Sequence, residues 1–405
     1  MKIGIIREGK VPPDFRVPLT PKQCKAIQTL YPQVEVYVQK SNIRVFKDEE
    51  YAALGLKLVD DLENCDIIFG VKEVPIDMLI PNKTFVFFSH TIKKQAHNQK
   101  LLRAILDKKI RLIDYEVIKD KSNKRLIGFG RYAGIVGCYN TFYTWGLKSG
   151  DYELKPAHLC KDRKEVEEEL KKVVLPKDFR VVLTGFGRVG NGAREIMSLL
   201  PIKEVSPEEY LRETHNEPVF THLDTEDYYV RKDGKEFSKQ EFYAQPELYT
   251  SNFEQFAFNS DIYIPCHFWS SKSPYILTRE TLLNEKNRLK VVGDISCDVN
   301  EPIACTIRPS KIGNPIYGYD PVQNTEVDFL SKGAIAVMAI DNLPCELPLD
   351  ASEDFGNELI KHVIPKLLGD DPDAVIERAS ETNLDGKLMP NFKYLEDYAN
   401  GILVH

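Results

Sequence analysis

The 405-residue sequence predicts an α/β protein made of two Rossmann-like, doubly wound domains separated by a cleft. Short apolar runs alternate with helical patterns from the first residue on, as a parallel sheet flanked by helices requires. Near the middle, the β-branched run Arg180–Thr184 breaks into Gly185-Phe186-Gly187-Arg188-Val189-Gly190 and then into a helix-forming stretch. About half the chain precedes that break, so a large first domain has some other task, which we read as holding a substrate.

Met1–Ile6 reads as a short buried strand, and the next residues as loop, because Gly9, Pro12 and Pro13 interrupt them. Thr20 and Pro21 open a helix as N-cap and first helical residue. Val34–Val38, Ile67–Val71, Thr84–Ser89 and Arg111–Asp114 read as further strands, and Gln95–Leu106 as a helix. The stretch 133–147 is apolar on nearly every side, which suits a long buried helix between domains. Asp162–Lys172 reads as a surface helix. From Ser206 to about Gln255 the chain is polar and tyrosine-rich, and reads as an insertion with a hairpin turn at Lys232-Asp233-Gly234-Lys235. Strands resume at Asp261–Pro265 and Lys290–Asp294. Gly333–Ile340 reads as a second apolar helix, and Asp350 as the cap of a helix ending near Leu368. These readings place a substrate domain at 1–132 plus 330–405 and a dinucleotide domain at 133–329, with the two crossings as a hinge.

Composition excludes several classes. Apolar residues make up 42% and charged residues 28%, ordinary for a globular chain, and the net charge of −7 lacks the basic footprint of a nucleic-acid binder. No apolar stretch reaches bilayer-spanning length, and Arg7 and Glu8 come too early for a signal peptide, so the expected location is the cytoplasm, with no membrane partner. The eight cysteines are scattered, with no C-x-x-C pair and no histidine at metal-ligand spacing, so reduced, mostly buried thiols and no metal are expected. Trp145, Trp269 and the tyrosine-rich insertion suit either an interface between identical chains or internal packing.

The glycine run carries the first chemistry. Gly185 makes the tight turn, Gly187 admits a pyrophosphate to the backbone, Gly190 lets the helix sit close, and the amides around Arg188 and Val189 open a helix N-terminus toward phosphate. In the first domain Arg16, Lys72, His90 and Lys93 stand at or near strand ends, where open α/β sheets bind ligands. A guanidinium grips a carboxylate with two parallel hydrogen bonds, so Arg16 suits an amino or keto acid. An imidazole exchanges protons near neutrality and a desolvated lysine is pushed toward it, so His90 and Lys72 suit proton exchange with an amine or carbinolamine. The competing reading is a core-edge histidine satisfied by backbone and a surface lysine. With a nicotinamide in the second domain, the reaction implied is oxidation of a C–N bond, or its reverse.

Gly70–Pro75, Phe88–Gln95, Phe129-Gly130, Tyr132-Ala133-Gly134, Val292–Ser296 and Ile340–Pro348 together resemble saccharopine dehydrogenase of the lysine-forming type. They are closer still to the lysine–2-oxoglutarate reductase half of the bifunctional animal and plant enzyme, a group related to alanine dehydrogenase. The resemblance implies that Lys72 and His90 are the acid–base pair and that Arg16 and Lys93 bind substrate carboxylates. It places Asp294 and Asp341 on the cofactor side, Asp341 near cofactor or hinge. The implied reaction joins the ε-amine of lysine to 2-oxoglutarate and reduces the imine to saccharopine.

Two positions depart from the pattern. After the cofactor helix, the segment where an NAD site offers an acid to the ribose reads Ile202-Lys203-Glu204-Val205-Ser206, so Glu204 serves only if its register suits. Otherwise Lys203 or Arg212 could meet a 2′-phosphate; the cofactor is NADP or NAD, with NADP slightly favoured. Arg131 stands where relatives carry an uncharged residue, as an added carboxylate contact or a surface change. The alternatives are an alanine dehydrogenase-like enzyme, against which Lys93, Gln95 and the insertion speak, and a non-catalytic nucleotide-binding regulator.

Overall fold

The computed structural model describes residues 1–402 and divides into two compact units, Met1–Phe129 with the segment from Pro348 onward, and Gly130–Leu347. The return into the first unit therefore falls at Pro348 and not at residue 330.

Unit 1 is built on a six-stranded parallel sheet of β1 (Lys2–Ile5), β2 (Glu35–Gln39), β3 (Lys57–Val59), β4 (Ile67–Phe69), β5 (Thr84–Phe87) and β6 (Arg111–Asp114), in the order β3-β2-β1-β4-β5-β6. Strand order reverses between β1 and β4, so loops leaving these two strands diverge and open a crevice at their C-terminal ends. β4 and most of β5 are buried on both faces, as strands covered by helices must be. Helix Pro21–Leu30 opens as expected: Thr20 accepts from the Gln23 N–H while Gln23 bonds back to the Thr20 N–H. The later helix runs Pro348–His362, so Asp350 lies inside its first turn and is not its cap. A separate short helix, Ile364–Leu368, follows, because Pro365 has no N–H to continue the ladder.

Unit 2 holds β7 (Arg180–Thr184), β8 (Lys203–Glu204), β9 (Val219–Leu223), a small antiparallel pair β10 (Tyr229–Arg231) and β11 (Tyr249–Ser251), then β12 (Ile262–Pro265), β13 (Val291–Gly293), β14 (Ile316–Asp320), β15 (Thr325–Val327) and β16 (Ile335–Met338). The main sheet has the order β15-β14-β16-β13-β12-β7-β9-β8, antiparallel only at β14 and β15. Two sequence readings change here. The expected helix at Gly333–Ile340 is β16, four fully buried residues hydrogen-bonded between β13 and β14, so an apolar run this short is a core strand. The 206–255 region is no simple insertion, because it contains β9, the parallel neighbour of the glycine-turn strand β7. Gly234 does turn the chain, at φ +75°, but helix Lys239–Ala244 intervenes before β11, so the hairpin is not a tight one.

The long helix is Gly130–Ser149, and it packs on helix Arg188–Met197 within unit 2. A methyl on Gly134 would stand 1.9 Å from the Val189 carbonyl oxygen, and one on Gly192 2.0 Å from that of Arg131, so the two backbones touch. Asp162 caps helix Arg163–Leu170, all eight cysteines are free, and no helix among the described residues is long and apolar enough to cross a membrane.

Candidate active site

In unit 1 the charged groups gather where β1, β4, β5 and β6 end. Glu8, in the loop after β1, spans the reversal point: one carboxylate oxygen accepts the Val71 N–H at 2.7 Å and the other the Lys72 N–H at 2.9 Å. Lys72 is thereby fixed at the end of β4. Arg16 is buried, its guanidinium bonded to both oxygens of Asp14 at 3.0 and 2.6 Å and laid over the Phe129 ring at 4.2 Å. Burial opposes ionisation of Asp14, but Arg16, its hydrogen bonds and the Lys72 charge outweigh it and hold the carboxyl down to about 2. Burial, with the Asp14 charge beside it, pushes Glu8 up to about 7.

His90 leaves β5 in the left-handed region, φ 54°, and its Nδ1 lies 2.6 Å from Glu73 Oε1. Glu73 also accepts from Lys10 at 2.8 Å, and these bonds overcome burial to keep its carboxyl well below the usual range. His90 stacks on Phe88, and Arg125 lies over the Phe88 ring at 5.3 Å. Lys93 is half-exposed and pairs with Glu116 at 3.3 Å. A carboxylate on one ring nitrogen sets the tautomer and leaves Nε2 for substrate, so this edge carries a base, an amine and arginines suited to a polar acid substrate.

In unit 2 the glycine turn sits at the other reversal point, between β7 and β12. Gly185 has φ +98°, and a side chain there would strike the Cys266 carbonyl at 2.6 Å. A methyl on Gly190 would stand 1.7 Å from the Gly185 carbonyl oxygen, whereas one on Gly187 would meet nothing within 4 Å. The turn lines a cavity of about 590 Å³ shared with Asp224, Tyr243, His267 and Phe268. His267 is buried, its Nδ1 is 3.0 Å from Thr184 Oγ1, its Nε2 has no partner among the described residues, and burial pushes it down to about 3, so the ring is neutral. Open space over Gly187, a helix N-terminus and an orphaned ring nitrogen fit a dinucleotide, whose pyrophosphate Gly185–Gly190 would hold.

Curated relatives cover nearly all of this chain. It is 32% identical to the mouse (Mus musculus) mitochondrial alpha-aminoadipic semialdehyde synthase over 94% of its length, and 30% identical to the Arabidopsis thaliana synthase over 88%. It spans 46% and 37% of those two proteins, so less than half the length of each. The saccharopine dehydrogenase [NAD(+), L-lysine-forming] of Emericella nidulans is 27% identical, with 90% of this chain and 91% of that one aligned. The chain is a homologue of these enzymes. The family described as alanine dehydrogenase/PNT, N-terminal domain, matches residues 4–136. Among solved structures, an L-alanine dehydrogenase superposes with a TM-score of 0.67 at 16% identity over 98% of this chain and all of that one, which shows the shared fold.

Several candidates of this homologue lie elsewhere than the sequence suggested. Glu204 sits on β8, the sheet edge, held by Arg194 at 2.8 Å, and one strand away from β7's neighbour. The acid that follows β9, the neighbour of the glycine-turn strand, and lines the cavity is Asp224. Partial burial opposes its ionisation, but the Lys239 ammonium at 2.6 Å holds the carboxyl below its ordinary range. Arg131 belongs to unit 2, where Glu195 accepts from it at 2.6 and 2.9 Å, because helices Gly130–Ser149 and Arg188–Met197 pack there. Asp294 is fully buried and bonded to Ser296, Cys297 and Thr306, so it braces the loop after β13 from beneath the cavity. Asp341 is exposed beyond the end of β16. Glu8, Asp14, Glu73 and Arg125 were not singled out from the sequence; a carboxylate directly after a buried strand was the available signal for Glu8.

Glu8 gives a pH test. Its native pKa is raised from 4.5 to about 7, so the folded state holds the proton more tightly than the unfolded chain. Its contribution to stability is complete below about 4.5 and disappears as pH rises to about 7. The fall in Tm across that window should be smaller in Glu8→Gln than in the parent; equal slopes in a thermal unfolding series would refute the assignment.

Proposed function

We propose that the chain is a nicotinamide-dependent oxidoreductase acting on a C–NH bond, interconverting saccharopine with L-lysine and 2-oxoglutarate. The observation that carries this reading is the edge of unit 1, where Lys72 and the Glu73-bonded His90 stand beside the Arg16–Asp14 pair and Arg125. Homology over 94% of the chain to the mouse synthase supports it. Arg16, Lys93 and Arg125 would receive substrate carboxylates. Lys72 and His90 would move the protons that imine formation and hydrolysis require at the carbonyl oxygen and the amine nitrogen. A bound nicotinamide supplies or accepts the hydride. Purified protein assayed with lysine, 2-oxoglutarate and NADH or NADPH should oxidise the cofactor, and only with both substrates present. No turnover with any amino donor crossed with any keto acid would overturn the reading.

The cofactor we propose is NAD, contrary to the preference drawn from the sequence. A carboxylate at the end of β9 accepts the ribose 2′-hydroxyl and repels a 2′-phosphate, and Asp224 stands there. Asp224→Ser should raise KM for NADH by about 10-fold or more while NADPH changes little or improves, because Lys239 is then released toward the phosphate. Equal losses with both cofactors would sink this assignment. A second reading, an alanine dehydrogenase-like enzyme, draws on the domain match at residues 4–136. Steady turnover with alanine and NAD would favour it.

A further inference from the structure

Beneath the His90 turn, two fully buried carboxyl groups face each other through two hydroxyls. Asp114, at the end of β6, and Glu381, from the segment that bridges antiparallel to β6, are both at 0% exposure, as are Ser89 and Thr91. Four oxygens stand in series: Asp114 Oδ2 to Ser89 Oγ at 2.5 Å, Ser89 Oγ to Thr91 Oγ1 at 2.6 Å, and Thr91 Oγ1 to Glu381 Oε2 at 2.5 Å. Three hydrogen bonds need three protons, and two hydroxyls carry two. The third proton must come from a carboxyl.

Backbone donors decide which one. Asp114 accepts the Ser89 N–H through Oδ2 at 2.9 Å and the Glu116 N–H through Oδ1 at 2.6 Å, so both its oxygens serve as acceptors. The Glu381 carboxyl is bonded to the Thr91 and Ser89 hydroxyls and lies within reach of Asp114, and no backbone N–H among the described residues donates to it. We propose that Glu381 is held as a neutral carboxylic acid that donates through Thr91 and Ser89 to an ionised Asp114, and that this one-way chain is the positioning element of the His90 turn. Ser89 and Thr91 flank His90 on both sides, and His90 occupies a left-handed backbone conformation that a non-glycine residue holds only when its surroundings determine it. The role rests on the reading of His90 as a proton-transfer group; the protonation does not.

The surrounding field agrees. The titratable groups acting on the pair are Glu116 on Asp114, and the tyrosines Tyr115, Tyr394 and Tyr398, with Glu8 acting on Tyr115. The neighbouring cations Lys93 and Arg125 pair with Glu116. Burial raises both carboxyls; the Asp114 charge pushes Glu381 well above the ordinary carboxyl range, while the Ser89 and Glu116 hydrogen bonds draw Asp114 back down.

Three variants test the chain. In Glu381→Gln the amide can donate to Thr91 as the acid does, so fold and turnover should stay within about threefold. Glu381→Val and the isosteric Thr91→Val cut the chain, and should lower kcat at least tenfold with cofactor KM unchanged. The infrared spectrum of the unliganded protein at neutral pH should contain a protonated-carboxyl carbonyl band that is missing in Glu381→Gln. The ring resonances of His90, assigned by their loss in His90→Gln, should move in both valine variants and stay in place in Glu381→Gln. Because an acid protonated only in the native state loses its contribution as pH rises, the parent Tm should fall more steeply than that of Glu381→Gln above about pH 5. An unchanged carbonyl band in Glu381→Gln overturns the protonation, and unmoved His90 signals in Thr91→Val overturn the positioning. Both readouts stand even if no turnover is found.

Discussion

Replacing Lys72 with methionine is expected to lower kcat by about 10²–10⁴-fold and to leave Tm nearly unchanged. The side chain is only partly buried, methionine fills a similar volume, and the Lys72 N–H bond to Glu8 belongs to the backbone and survives. What disappears is an ammonium whose field lowers the Asp14 carboxyl and which can cycle a proton. Lys72→Arg separates the two functions. Its guanidinium keeps the charge beside Asp14 but does not deprotonate in proteins. If Lys72 acts by proton transfer, the arginine variant should be as slow as the methionine one, and the alkaline or acid limb it governs should vanish from the pH profile in both. If arginine restores most of the rate, Lys72 works as a fixed charge and the proton-transfer role falls to His90.

The sequence made some of this legible and hid the rest for physical reasons. The glycine turn was readable because much of the requirement is local: Gly185 holds a positive φ, and a Cβ on Gly190 would meet the Gly185 carbonyl within the same turn. β1, β4, β5 and β6 were readable because burial on both faces produces apolar runs, whereas the edge strand β3, exposed to half-buried, was not read. β9 was not, since Thr221 and His222 interrupt Val219–Leu223 and some twenty residues separate it from the cofactor helix. Without β9 in the reading, the ribose acid was sought at Glu204 on β8, and the lean to NADP followed from its doubtful register. Glu8 and Asp114 act through long-range bonds, to Val71, Lys72 and Ser89, that no spacing rule encodes. Arg131 was noticed as a departure, but its partner Glu195 lies 64 residues on, and only helix packing brings them together.

Alanine at Gly190 should weaken cofactor binding and destabilise unit 2, while alanine at Gly187 should weaken binding alone. The added methyl at 190 would lie 1.7 Å from the Gly185 carbonyl oxygen, which is backbone and also 2.7 Å from His222 Nε2. No rotamer change relieves such a contact, so the turn must shift against Cys266 and His267, its neighbours just after β12. Overpacking of this kind costs about 1–3 kcal/mol or more, enough to lower Tm by several degrees. At 187 the backbone is in an ordinary extended conformation, φ −76°, and the methyl meets nothing, so the free protein should not register the change. The same methyl stands where a pyrophosphate would approach the amides, and about 100-fold weaker binding of NADH, measured by titration calorimetry, is expected. A Gly187→Ala variant that binds NADH at parental strength would place the pyrophosphate elsewhere and remove the glycine turn from the site. A Gly190→Ala variant with unchanged Tm would show instead that the turn itself is soft.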